Sequence, residues 1–155
     1  MLLLLIDIAT PSGHKGGLPV FDSYADVFLA FLGEQAEFGA EEPASERTRA
    51  AMDQALADLD SCPAIPGIAI PPVVLLSQLV ANDRDGFALA LADALEAHRD
   101  AFSVGESVED VDGLINLRIL ALACLARARG WEIGVDSEYL PCGVIAHAAA
   151  GLTSG

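Results

Sequence analysis

Cations are scarce in this chain. Lys and Arg together number 8 against 23 Asp and Glu, which leaves a formal net charge of −15 over 155 residues. So acidic a surface repels phosphate backbones and anionic headgroups, which argues against direct nucleic-acid binding and against an electrostatically driven membrane association. It favours encounter with basic partners instead. Cysteine is sparse too. Cys62, Cys124 and Cys142 are odd in number, widely spaced and without a CxxC pair, so no disulfide framework is expected and the thiols read as reduced. Long apolar runs are missing as well. Leu2 to Ile6 is cut short by Asp7 and has no cation before it, so it fits neither a secretory signal nor, lacking about 20 apolar residues, a membrane span. These features together predict a cytoplasmic protein.

Residue constellations for catalysis are absent. His14 lies in a glycine loop, His98 on a helix and His147 near the C-terminus, and none belongs to an HExxH or HxxxH pair. The segment PSGHKGG, residues 11–17, places Gly and Lys together, but Lys15 is followed by Gly16 and no helix opens, so the phosphate-loop pattern fails. Asp83 and Asp85 flank Arg84 without the DxDxDG run and distal Glu of a calcium loop, which leaves Asn82, Asp83 and Asp85 as turn and cap residues. Glu106, Glu109, Asp110 and Asp112 read as a solvated acidic loop. Cys142 follows Pro141 with no neighbouring His to activate it. The expectation is no catalytic residue, no metal and no cofactor.

What the chain does contain is apolar helix formers. Hydrophobic residues make up 53%, much of it Ala and Leu, enough for a dense core in one domain of this length. The central stretch is VDGLINLRILALACLARARGWEIGVDSEYLP, residues 111–141. Gly113 to Arg129 is apolar almost all round, so it reads as a helix wrapped by others. Asp110 or Asp112 would cap it, and Arg127 and Arg129 would suit the negative end of its dipole before Gly130 stops it. Trp131, Ile133 and Val135 then alternate with Glu132, Gly134 and Asp136, a short extended piece. Upstream, a helix from Asp22 or Ser23 to Phe38 carries a stripe of Tyr24, Val27, Phe28, Phe31 and Leu32 that Phe38 would extend. Others are predicted from Ser45 to Leu59, Val73 to Ala81 behind Pro72, Arg84 to Phe102 with Leu89 among its inner residues, and Val144 to Ala150. Short turns imply antiparallel neighbours. The predicted fold is all-α: a single-domain antiparallel array of five or six helices around the buried helix 113–129, with extended pieces at 2–9 and 131–136. The proline-rich connector from Ser61 to Pro72 is the one plausible boundary, between subregions 1–62 and 72–150.

Three pieces carry a family resemblance: LLSQLVANDRDGFALALADALEAHRDAF, the glycine-led DGLINLRILALACLARARG, and VDSEYLP at residues 135–141. In this order and spacing, over Val73 to Leu140, they resemble the C-terminal half of the immunity 49 family of bacterial polymorphic toxin systems; the first 70 residues match less clearly. The resemblance implies an all-α, non-catalytic protein that neutralises a cognate toxin. The charge adds that the toxin is basic. Candidate contact residues are the acidic turns and tail: Asp83, Asp85, Glu106, Glu109, Asp110, Asp136, Glu138 and Tyr139. Two other readings stand beside this one: a helical scaffold or homo-oligomerisation module, and a small hydrolase built on His98 and a carboxylate.

Overall fold

The computed structural model describes residues 19–61, 70–102 and 115–153. Six helices lie among them: α1 Pro19–Phe38, α2 Glu46–Asp60, α3 Ile70–Ala81, α4 Arg84–Phe102, α5 Leu117–Ala128 and α6 Cys142–Thr153. No strand occurs among the described residues, so the all-α expectation holds. The expected piece at 2–9 and the acidic loop 104–112 lie outside them. Residues 131–137 form no helix, but the alternation is there: Trp131 is buried, Ile133 and Val135 are half-buried, and Glu132, Gly134 and Asp136 are exposed.

Local chemistry sets the helix starts. Ser45 takes an extended conformation (φ −61°, ψ 161°), and its hydroxyl accepts from the Thr48 amide, capping α2 as the sequence predicts. α5 begins later than expected. Asn116, not Asp110 or Asp112, is its cap, with Oδ1 accepting from the amides of Arg118 and Ile119 at 3.1 and 3.2 Å. α1 begins earlier, at Pro19, and α3 at Ile70 with Pro71 and Pro72 in its first turn. A proline costs nothing in a first turn, where its missing N–H has no intrahelical partner to lose.

Packing follows the apolar stripes. On α1, Tyr24, Val27, Phe28, Phe31 and Leu32 are all buried. α5 is buried nearly all round, from Ile119 through Ala126, and packs on α3, α4 and α6. It shares the centre with α3, which touches α1, α2, α4 and α5 and has Leu75, Leu76 and Leu79 fully buried. Each such leucine contributes about 2 kcal/mol by leaving water. On α4 the buried set is Phe87, Leu91, Ala94, Leu95 and His98. Leu89 does not join it and is 71% exposed. At about 100° per residue it lies roughly 200° round the helix from Phe87. Ser23 near the start of α1 donates to Asp58 near the end of α2, which fixes these two helices as antiparallel. With the Gln54 amide, that hydroxyl holds the Asp58 carboxyl below its usual range. No helix among the described residues is long and apolar enough to cross a membrane.

Candidate functional site

Three helices stop abruptly at the same end of the bundle. Gly39 after α1, Asn82 after α3 and Gly130 after α5 are the positive-φ residues of the described chain, at 106°, 57° and 77°. In α3 and α5 the stop takes the same form. The amide just after the positive-φ residue reaches back to the carbonyl five residues earlier: Asp83 to Gln78 at 2.9 Å, Trp131 to Ala126 at 3.1 Å. Asn is the non-glycine residue that best tolerates the left-handed conformation, so Asn82 does for α3 what Gly130 does for α5. α4 then starts at once. Asp83 Oδ1 accepts from the Gly86 amide at 2.9 Å. A Cβ at Gly86 would stand 2.4 Å from Gln78 Oε1 and 2.5 Å from Asp83 Oδ2, so a side chain there would push the capping carboxylate aside.

The loops that leave these stops meet on one side chain. Arg129, only 6% exposed, donates from Nη1 to Gln35 Oε1 at 2.8 Å, and from Nη2 to Asn82 Oδ1 at 2.9 Å and to the Glu42 carbonyl at 3.3 Å. The Gln35 amide donates to the same carbonyl. The guanidinium carbon Cζ lies 5.6 Å from the ring centres of both Phe31 and Trp131. Burial lowers its pKa and the nearby Glu41 carboxylate opposes that; an arginine stays protonated through such a shift. The forked group thus ties the end of α1, the α1–α2 loop, the α3–α4 turn and the tail after α5. A second knot lies beside it. The Glu34 carboxylate accepts from the Ser45 amide at 3.0 Å, the Ser45 hydroxyl, and the Thr48 hydroxyl at 2.7 Å. Burial pushes the Glu34 carboxyl up, but these donors, with the Arg47 charge nearby, outweigh it and hold the group below its usual value. Around the two knots Glu41, Glu42, Asp83, Asp85 and Glu132 are exposed. The exposed cations at this end are Arg47 and Arg49 in the first turn of α2, Arg127 and Arg84; Arg47 acts on Glu34, and Arg84 stands 3.6 Å from Glu132.

The tail after α5 runs along α4. Trp131 packs edge-on against Phe87 near the start of α4, and Tyr139 edge-on against His98 near its end. Those two α4 residues are about 16 Å apart along the helix axis, from the rise per residue. From Trp131 to Val135 the tail lies against the first half of α4, with Arg84, Ala88 and Leu91 lining the seam. The acidic turn and the acidic tail therefore flank one helix but stand at its two ends. Asp83 and Asp85 are exposed at the first, Asp136 and Glu138 exposed towards the second. Tyr139 is half-buried, its ring engaged with His98, and Leu140 beside it is buried. Glu106, Glu109 and Asp110 lie outside the described residues.

His98 itself is 1% exposed and packs against the rings of Phe102 and Tyr139. Among the described residues no three His, Cys, Asp or Glu side chains gather as metal ligands. Cys124 is buried, and burial pushes its thiol up to about 11. Sequence reasoning did not single out Arg129, Gln35, Asn82 or Glu34 as a set. The available signal was an arginine one residue before the stopping glycine, next to the single tryptophan.

No curated protein and no solved structure matches the chain. The sequence profile of one family does, described as Immunity protein 49, over residues 19–144, which takes in every helix from α1 to the start of α6. The resemblance seen from residue 73 onward thus extends through the first two helices, and the chain belongs to the Immunity protein 49 family.

Proposed function

We propose that this protein acts in the cytoplasm as a non-catalytic inhibitor that binds a cognate protein toxin, basic on its docking face, and blocks it. Membership of an immunity family supports the class of function. The observation that carries the finer reading is the loop end of the bundle. There exposed carboxylates stand on turns that Arg129 and Glu34 hold in place. A rigid anionic surface meets a cationic partner without first having to order its own loops, and opposite potentials speed the encounter. Asp83 and Asp85 lead this surface, and Asp136, Glu138 and Tyr139 extend it along α4. An interface of ordinary size, about 800 Å² on each partner, is wide enough to cover both ends of that helix.

The test is co-expression with the toxin gene in the adjacent reading frame. Growth is expected to be rescued and the two chains to co-purify. Association of the purified pair should slow several-fold between about 50 and 300 mM salt. Rescue with a salt-independent association rate removes the basic-toxin reading, and no rescue removes inhibition of that toxin.

A further inference from the structure

Phe38 breaks the rule that the rest of α1 follows. It lies seven residues beyond Phe31, two turns on, and so falls on the buried stripe. Yet Phe31 is fully buried and Phe38 is 63% exposed. The helix ends at Phe38, and the chain turns away at Gly39, so the described helices that cover the stripe below do not reach it. Beside the ring is a groove of about 330 Å³, lined by Glu34, Gln35, Phe38, Glu42, Pro43 and Ser45. Glu37 and Glu41 are exposed next to it. The groove is braced from beneath: Arg129 holds the Gln35 side chain and the Glu42 backbone, and Glu34 is locked to Ser45 and Thr48.

The geometry points to this groove as a socket for an arginine or lysine side chain of the toxin, with the cation laid on Phe38 and its head facing the Glu42 and Glu41 carboxylates. The inference rests on the toxin-binding reading above and deepens it. Three features favour this occupant over an apolar one. The groove has one aromatic wall and an acidic rim, the combination that takes a long cationic side chain by stem and head together. Its exposed rim is net acidic, with Glu37, Glu41 and Glu42 against the single exposed cation Arg47, while Arg129 is buried beneath. Its walls are preorganised, so little ordering cost falls on binding. The same buried guanidinium also fixes Asn82, one residue before Asp83, which makes the groove and the acidic turn of α4 adjoining parts of one surface.

The test uses the full chain and the purified toxin domain encoded by the adjacent reading frame, with affinity measured by calorimetry. Phe38→Ala and Glu42→Lys are each expected to raise Kd at least about ten-fold, as loss of an interface anchor does. Both positions are exposed, and Arg129 uses the Glu42 backbone only, so melting temperatures should stay near that of the parent. Leu89→Ala removes an equally exposed apolar side chain from the outer face of α4 and should leave Kd within two-fold. If the parent binds and both groove variants bind as it does, the socket is wrong and toxin inhibition stands. If Leu89→Ala is the variant that weakens binding, the docking face is α4 and the socket is wrong. If the parent self-associates and Phe38→Ala makes it monomeric with unchanged toxin affinity, the occupant is a second copy of this chain. If the parent does not bind that toxin, both readings fall together.

Discussion

Arg129 and His98 are buried to nearly the same degree, at 6% and 1% exposure, and are held in opposite ways. Arg129 reaches out with hydrogen bonds to three other parts of the chain, 94, 87 and 47 residues away in sequence. His98 is packed against two rings, one from its own helix and one from the tail. The first arrangement fixes the relative positions of loops. The second fixes how the tail lies on α4. Burying a cation is costly unless its donors are satisfied, and a fold that accepts this cost at one end gains a set of loops with defined positions there. The exposed carboxylates and the groove beside Phe38 cluster at that end.

The largest effect should come from breaking the Arg129 hub. Arg129→Ala leaves Gln35 and Asn82 without a donor and opens a void between Phe31 and Trp131. A loss of about 3–5 kcal/mol in chemical denaturation is expected, along with most of the affinity for toxin. Arg129→Lys keeps the charge but not the fork or the flat face, so it should recover less than half of that loss. Full recovery by lysine would mean that charge, not geometry, organises the loops. His98→Ala is the contrasting cut. It should cost about 2–3 kcal/mol through lost packing and weaken toxin binding much less than Arg129→Ala does, since it loosens only the tail part of the docking surface. A large affinity loss there would erase the distinction between the two buried groups.

A thiol probe sharpens the same contrast from the centre of the molecule. Cys142 is exposed, whereas Cys124 on α5 is 5% exposed with its thiol pushed up to about 11. Alkylation at pH 8 with site assignment by mass spectrometry should modify Cys142 at once and Cys124 only as α5 opens, since the thiolate is the reacting form. Arg129→Ala should speed Cys124 labelling more than His98→Ala does, because it loosens the end of the helix that carries the thiol. Equal rates in the two variants would show that the hub does not clamp α5.

Much of the fold is legible in the sequence because it depends on local periods. The α1 stripe, the Ser45 cap, the all-apolar α5 and the alternation from Trp131 to Asp136 are each written within a few residues. Phe38 and Leu89 mislead for opposite reasons. Phe38 has the right period but sits past the last covering helix, and Leu89 has the right chemistry but the wrong angle. Arg129 is hidden more deeply. A cation in the last turn of a helix has a sufficient local explanation in the helix dipole. Its actual partners, Gln35, Glu42 and Asn82, come from other turns that only the folded bundle brings to it. The acidic turn at Asp83 and Asp85 is visible in sequence for the same local reason that it caps α4. The distance separating it from Glu138 and Tyr139 is not, since it depends on the tail lying lengthwise along the helix.

The smallest expected effect is a pH dependence at the loop end, and it tests whether the Glu34 knot contributes alongside Arg129. Against the opposing effect of burial, hydroxyl and amide donors and the nearby Arg47 charge hold the Glu34 carboxyl below its ordinary value. Its folded pKa is thus below the unfolded one, near 4.3. Such a group stabilises the fold in full above the unfolded pKa and loses that contribution as pH falls through the folded pKa. Asp58 is also held low, at the other end of α1 and α2, so the parent's melting temperature should fall on acidification from both sources. Glu34→Gln separates them, since the amide cannot ionise and Asp58 is unchanged in the two proteins. The parent should melt a few degrees above Glu34→Gln at pH 6, and the gap should narrow steadily towards pH 3. A gap that stays constant over that range would mean that the ionised carboxylate adds nothing beyond its shape, leaving Arg129 as the sole organiser of the loops.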